Sequence, residues 1–592
     1  MNPRREYTER LEARRAVSAR YENAHVAIGN WRVVIALSAV ILAVLAWGYD
    51  KLSGWYLLAP LAASIVLAVI HDRVLRRKQA CDRAAAVYDA GLARLDDRWR
   101  GKGATGDRFR DETHPYSDDL DLFGKGSLFQ LLSTARTRPG EEMLASWLLA
   151  PAPVEELRAR QRGIEELRPM LDLREDLAVL GADVGPELQP QKLAGWGEAP
   201  ASGELHRPRL LALGLAVLSI AAGVLWAVAD IRAPFLILFI ADVAFTFRWR
   251  HWMDHVAATV EDAAHELALL SQVLARIERE RFQSPRLAEL RAALDVQGHP
   301  VSGRIRKLNR LMELLDSSDH LLVRMIGAVI LWKPQILFAV ERWRRESGPL
   351  LRQWLAAAGE FEALSALANY SFEHPADPFP EFSEDSPRFE GEGMAHPLMP
   401  EARAVRNSLS LGGDLRVLVI SGSNMSGKST LLRTVGVNAV LAFAGAPVRA
   451  RRLLLSPLAV GASIRVLDSL QDGVSRFYAE IMRLRKLVDL TAGKVPLLFL
   501  LDEFLHGTNS HDRKIGAEAI VRGLVERNAI GLVTTHDLAL AHIADVLAPR
   551  AANVHFEDQL QDGKMTFDYI MRPGVVHKSN ALELMRSIGL DV

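Results

Sequence analysis

Gly422-Ser423-Asn424-Met425-Ser426-Gly427-Lys428-Ser429 is the stretch that decides the fold of the last third of this chain. It fits G-x-x-x-x-G-K-[ST]. An apolar, β-branched run at 417–420 precedes it and a helical pattern at 430–440 follows, which is the strand–loop–helix context the motif requires. The glycines let the backbone curl until several N–H groups converge on one point, and the dipole of the following helix favours an anion there. Residues 422–430, ending at Thr430, are therefore expected to form a phosphate cradle. In it Lys428 reaches the β- and γ-phosphates of ATP and Ser429 ligates Mg²⁺.

Downstream, LLFLLDE at 497–503 reads as a buried strand ending in two carboxylates. Asp502 is expected to hold Mg²⁺, directly or through water, and Glu503 to orient and polarise the attacking water. Thr534-Thr535-His536 ends a third apolar run, where a histidine can contact a γ-phosphate. Short apolar runs at 417–420, 495–501 and 530–534 alternate with helical patterns. That alternation predicts an α/β domain with a largely parallel sheet.

These residues resemble the MutS ATPases, members of the wider ABC ATPase superfamily. The resemblance rests on several segments: Ser423-Asn424-Met425 inside the loop, Ser475, Phe477 and Glu480 in DGVSRFYAE, and Gly507-Thr508-Asn509-Ser510-His511-Asp512 after the acidic pair. His536 in TTHDLAL and His396-Pro397 upstream add to it. Weaker similarity reaches the stretch 120–167, with SLFQLL, Thr137-x-Pro139-Gly140, WLLAP and RQRGIEEL, which looks like the helical core of the family. The resemblance implies a homodimer in which Ser475 and Glu480 of one subunit face the nucleotide of the other, with ATP closing the dimer and moving helical levers. The family's adenine-facing aromatic falls in AVRNSLSL near Ala404 and Val405, where no aromatic stands, although Asn407 matches. The family's mismatch-reading Phe-x-Glu domain and a following nuclease domain are not expected in this chain.

The remainder is mostly helical in pattern. The 592 residues carry 72 basic and 72 acidic side chains, so no global charge draws the chain to a polyanion. A single cysteine, Cys81, excludes a disulfide framework and a thiolate metal cluster. Four apolar runs stand out, at 33–49, 52–70, 210–229 and 233–247, and they fall into two pairs. Three approach or reach the ~20 residues that cross a bilayer core as a helix. The fourth is shorter and carries Asp242, which is expected to face a helix partner or the interface rather than lipid. Basic residues flank each pair from outside: Arg14, Arg15, Arg20 and Arg32, then Arg73, Arg76, Arg77 and Lys78 for the first, and Arg207, Arg209, Arg248 and Arg250 for the second. The positive-inside rule then places both hairpin tips outside and leaves the ATP-requiring region in the cytosol. The charged opening segment reads as an amphipathic helix and not as a cleavable signal.

Between the runs, a break at Thr137-Arg138-Pro139-Gly140 is expected between two amphipathic helices. The acidic, proline-rich stretch 372–392 reads as a linker. Arg304, Arg306, Lys307 and Arg310 form a small basic cluster. The expected organisation is multidomain: a cytosolic helix (1–30), a transmembrane hairpin (31–72), the first part of a helical core (73–206), a second hairpin (207–248), a core and lever region (249–385) and an α/β P-loop ATPase domain (386–592). The expected function is that of a membrane-anchored, multi-pass MutS-like ATPase of the inner membrane. ATP and Mg²⁺ are its cofactors, the bilayer and a second copy its partners, and DNA a candidate partner. The alternatives are a transport-type ABC ATPase, for which no LSGGQ-like segment stands in the sequence, and a nucleotide-switched scaffold. Intact Lys428, Asp502 and Glu503 argue against the scaffold.

Overall fold

The computed structural model describes residues 2–576 apart from 50–51, 185–188, 201–205, 320–326, 328, 466–475, 506–507 and 562–563. The chain divides into two compact units, one of Met1–Trp99 with Leu171–Asp183, the other of Arg100–Met170 with Val184–Val592.

The first unit is built on two long antiparallel helices, Pro3–Ala43 and Leu58–Leu95. The Asn2 side chain caps the first by accepting the amide of Arg4 at 3.1 Å, and Pro3 occupies the first turn, where its missing N–H costs nothing. Arg4–Asp96 (2.6 Å), Arg15–Asp89 (2.7 Å), Lys78–Glu22 (3.1 Å) and the His25–His71 ring pair (3.0 Å) fix the register of the charged halves. The divisions drawn at 30/31 and 72/73 fall inside these helices, because nothing in the sequence interrupts helical propensity where charge gives way to apolar residues. The apolar halves are largely exposed: Val33, Leu37 and Ile41 are each about 60% exposed. By length and composition, three helical stretches among the described residues could cross a membrane: Pro3–Gly48, Gly54–Leu95 and His206–Ala229.

In the second unit, His206–Ala229 packs against the 46-residue helix Ala233–Glu278. The fourth apolar run opens that helix and is not among the three candidate spans. Asp242 faces its partner helix, as a carboxylate on an otherwise apolar surface must. It is 1% exposed and accepts a hydrogen bond from Ser219 Oγ at 2.7 Å.

The expected break between two helices lies at 133–137, after the helix Leu128–Leu132, and residues 138–140 already start the next helix. Thr137 Oγ1 accepts the Gly140 amide (3.3 Å), and Pro139 sits in the first turn of Arg138–Leu149. Glu362 of the helix Leu351–Glu373 braces this cap. One carboxylate oxygen accepts the amides of Arg136 (3.1 Å) and Thr137 (3.2 Å) and the Thr137 hydroxyl (3.1 Å). Burial pushes the Glu362 carboxyl up to about 7 in spite of these donors.

The stretch 372–392 is not a free linker. It contains the end of that helix at Glu373, the strand Glu381–Phe382 and the start of the strand Arg388–Met394. Both strands belong to a four-stranded sheet completed by Asn407–Gly412 and Arg452–Leu455. Its acidic residues are partly spoken for, since Glu381 forms a two-pronged pair with Arg452 at 2.8 and 2.9 Å.

The α/β region centres on a six-stranded sheet ordered Lys564–Pro573, Ala551–Gln561, Val417–Ser421, Ile530–Thr535, Leu497–Asp502, Ala459–Ser463. All neighbours are parallel except the first pair. The three middle strands are buried almost throughout, as unbroken apolar runs covered on both faces should be. Their register is what builds the site. Thr534 lies opposite both Ile420 and Asp502, and Thr535 opposite Ser421, so the carboxyl ends of all three strands meet at one edge. That edge is where ligands bind in open parallel sheets.

Candidate functional site

The P-loop strand Val417–Ser421 runs into Gly422 and the loop ends on Gly427, which precedes the 17-residue helix Lys428–Ala444. Gly422 has φ +155°, and a Cβ there would come within 2.8 Å of Ser426 Oγ. Gly427 has φ +105°, and a Cβ there would meet the Tyr569 ring at 3.1 Å. Both positions thus need glycine for conformation and for space. Met425 is 83% exposed with φ +69°. Asn424, Ser429 and Thr430 are exposed on the same cavity.

Lys428 is 4% exposed, and its ammonium is held by three oxygens: Gly422 O and Ser423 O at 2.9 Å each, and Glu503 Oε1 at 3.1 Å. The other Glu503 oxygen lies 3.4 Å from His536 Nδ1. Lys428 at the start of the P-loop helix and Glu503 and His536 after two strand ends therefore form one chain of contacts. Burial pushes the Glu503 carboxyl up, but Lys428 and then His536 outweigh it and hold the group below the usual glutamate range, ionised at neutral pH. Asp502 accepts a hydrogen bond from Thr534 Oγ1, and the same hydroxyl accepts the Glu503 amide at 3.0 Å. Thr534 thus sets both carboxylates. The sequence placed it beside His536 but gave it no role, because its partners lie 31 and 32 residues away.

Lys428, Asp502 and Glu503 open on a cavity of about 1010 Å³. Its floor is polar, with Lys428, Ser429, Asp502 and Glu503. Its far wall carries Val405, Phe567 and Tyr569. The two aromatics come from the C-terminal strand Lys564–Pro573, with ring centroids 5.9 Å apart. Asn407 fastens that strand beside the P-loop, donating to Tyr569 O at 2.9 Å and accepting the Met571 amide at 2.8 Å. Where the sequence near Ala404 and Val405 lacks an aromatic, the fold supplies Tyr569 from 160-odd residues downstream; the signal open to sequence reading was Asn407 alone. His396, also on the cavity, is pushed down to about 4 by burial, then by Arg433 and Arg449, and is neutral at physiological pH.

The residues fit a nucleotide triphosphate with its metal. The buried hydroxyls Ser423 Oγ and Ser426 Oγ have no hydrogen-bond partner among the described residues, and an anion in the loop would supply acceptors for them. Hydroxyl and carboxylate oxygens, from Ser429 and Asp502, are the donor chemistry that Mg²⁺ prefers. Glu480 does not reach this cavity within its own chain. It is 3% exposed and accepts the Leu505 amide at 2.5 Å, two residues beyond Glu503. Asn509 caps the helix Ser510–Glu526 by accepting the Asp512 amide at 2.8 Å. Ser475 and Gly507 lie outside the described residues.

Residues 418–591 match the family model for MutS domain V. The chain is 36% identical to an "Endonuclease MutS2" of Thermus thermophilus over 219 residues, 36% of this chain and 27% of that protein. It is 34% identical to a "DNA mismatch repair protein MutS 2" of Halobacterium salinarum over 245 residues, 40% of this chain and 27% of that protein. Over 526 residues it is 26% identical to a "DNA mismatch repair protein MutS" of Thermus caldophilus, which takes in 79% of this chain and 59% of that one. The chain thus spans between about a quarter and three fifths of the length of these relatives. Residues 418–591, which bring the phosphate loop and the acidic strand end onto one cavity with His536 3.4 Å from Glu503, are thus similar to MutS domain V.

Proposed function

We propose that this protein is a membrane-anchored MutS-like ATPase that couples ATP binding and hydrolysis to closure of a dimer and movement of its helical region, with duplex DNA as the substrate it acts on. The observation that carries the ATPase part is the Lys428–Glu503–His536 chain at the carboxyl edge of the sheet. Lys428 leaves Glu503 to meet the β- and γ-phosphates, and the loop amides and the P-loop helix take the remaining charge. Glu503, ionised and freed from Lys428, accepts a proton from the attacking water, while Thr534 keeps its backbone in place. His536 stays within reach of the Glu503 carboxylate and of a γ-phosphate. Ser429 and Asp502 would hold Mg²⁺, whose charge neutralises the phosphate oxygens. Tyr569 supplies a face for the adenine ring. Ser475 of a second copy completes the site, as the family resemblance implies.

The DNA part rests on the names of the relatives, two of which are DNA mismatch repair proteins. The membrane part rests on exposed apolar helical surface: among the described residues, none of the most apolar window of the first helix and 6% of that of the second is buried. A transport-type ABC ATPase is not favoured, since the domain match is to MutS. The test uses the full chain in detergent or nanodiscs. Mg²⁺-dependent ATP hydrolysis, together with duplex binding whose affinity changes with ATP and falls with salt, is the expected result. Absence of duplex binding at low salt in both nucleotide states removes DNA. Release of the chain from membranes by alkaline carbonate removes the anchor.

A further inference from the structure

Two carboxylates upstream of the ATPase domain reach into it. Asp119 and Asp121 lie in the stretch before the short helix Leu128–Leu132, in the helical region, more than 300 residues from the elements they touch. Asp119 is fully buried. Its Oδ1 accepts the amides of Ile464 (2.8 Å) and Arg465 (2.7 Å), where the chain leaves the edge strand Ala459–Ser463. Its Oδ2 accepts the guanidinium of Arg483 on the helix Arg476–Leu490. Arg483 Nε also donates to Ala462 O at 3.1 Å, and Pro115 O accepts the Ala462 amide at 2.9 Å. Asp121 pairs with Arg465 at 2.8 Å and with Arg433 of the P-loop helix at 3.5 Å. Between them Leu120 packs, fully buried, against Gly436 of that same helix.

The far end of this network is the catalytic edge. Glu480 sits one helical turn before Arg483, on the same face, and its carboxylate accepts the Leu505 amide. Leu505 and Glu503 have φ of +61° and +43°, conformations that non-glycine residues hold only when their surroundings enforce them. The Leu505 amide bonded to Glu480 and the Glu503 amide bonded to Thr534 are the enforcing contacts on either side of Phe504. The helix Arg476–Leu490 is thus anchored at Arg483 by the helical region and holds the loop after Glu503 at Glu480.

We propose that Asp119, supported by Asp121, is a positioning residue through which the upstream helical region sets the place of Glu503, acting through Arg483 and Glu480. Asp119 is fully buried and does not line the cavity. Its charge fixes the helix that fixes the loop. Loss of the Asp119 charge then lowers the rate of hydrolysis, while the Asp121–Arg433 pair and Leu120 against Gly436 still hold the P-loop helix. This rests on the ATPase assignment above.

The test is steady-state kinetics and ATP affinity for Asp119→Asn, Arg483→Gln and the double variant, in the full chain. Asn keeps an acceptor for the two amides and loses the charge on Arg483. Each single variant is expected to lower kcat by about tenfold, the scale of a small misplacement of a catalytic group. ATP affinity stays within about twofold and the melting temperature is retained, a split that a loss of packing would not give. The double variant is expected to be no slower than the single ones, because both remove one link. Unchanged kcat in Asp119→Asn, a fall in affinity that matches the fall in kcat, or multiplicative losses in the double variant each overturn the proposal. If Asp119→Asn fails to fold, Arg483→Gln decides by the same criteria. A wild-type protein that hydrolyses no ATP sinks the ATPase assignment and this proposal together, whereas active wild type with an equally active Asp119→Asn sinks the proposal alone.

Discussion

Replacing Glu503 by glutamine separates grip from chemistry at this site, and the structure sets the sign of both effects. Lys428 and Glu503 form a largely buried pair, with side chains 4% and 28% exposed at 3.1 Å. Lys428 has to give up that contact to reach a phosphate. Glutamine keeps an acceptor of the same shape but removes the charge. A hydrogen bond to a charged partner is worth about 1 kcal/mol more than a neutral one, so Lys428 is released more cheaply in Glu503→Gln and ATP binds about fivefold more tightly. Removal of a carboxylate that stands near the γ-phosphate acts in the same direction. Hydrolysis falls by about 10²- to 10⁴-fold, because no group of suitable basicity remains to take the proton from water. The assay is a calorimetric or fluorescence titration with Mg·ATP beside single-turnover phosphate release. Weaker ATP binding in Glu503→Gln, or turnover within about threefold of wild type, would refute the proton-accepting role and the competition for Lys428.

Two further outcomes follow from other parts of the fold. Tyr569→Ala removes the aromatic side chain beside Gly427 and, with the adenine placed on that ring as proposed, is expected to raise the KM for ATP about five- to tenfold with kcat little changed; an equal fall in kcat would contradict that placement. Glu362→Gln should change stability in a pH-dependent way. The Glu362 carboxyl sits at about 7 in the fold against 4.5 when free, so between those values the folded chain holds a proton that the unfolded chain has released. Stability therefore falls as pH rises from 4.5 to 7 and levels off above, by about 3 kcal/mol in all. Glutamine is neutral throughout, so the advantage of Glu362→Gln over wild type grows across that window. Hydrogen exchange of the Arg136 and Thr137 amides, compared between the two proteins at pH 5 and pH 8, reads it locally. A difference independent of pH would mean that Glu362 is ionised in the fold.

What the sequence carried well was local. Within eight residues, the spacing of Gly422, Gly427, Lys428 and Ser429 specifies a loop whose geometry depends only on its own backbone and on the helix it opens. The carboxyl ends of the buried strands were legible for the same reason, as apolar runs stopping at Asp502 and Thr535. Helix starts were harder. Thr137-Arg138-Pro139-Gly140 has the composition of a break, and only the Thr137 cap with the brace from Glu362 tells a start from a stop. The acidic stretch 372–392 misled because short edge strands need a partner strand, and the partner Arg452–Leu455 is some seventy residues on.

The sequence by itself determined that a phosphate loop, two strand-end carboxylates and a strand-end histidine exist, and that long apolar helical runs flank the helical region. Tertiary structure alone decided who meets whom: Glu503 with Lys428 and His536, Asn407 with the strand of Tyr569 across 162 residues, and Asp119 with Ile464 across 345. The physical reason is separation along the chain. A motif is enforced by bonds and sterics among neighbours, whereas a contact hundreds of residues apart depends on the register of strands and the packing of helices. Those follow from the burial of the whole core and leave no mark on the residues in between.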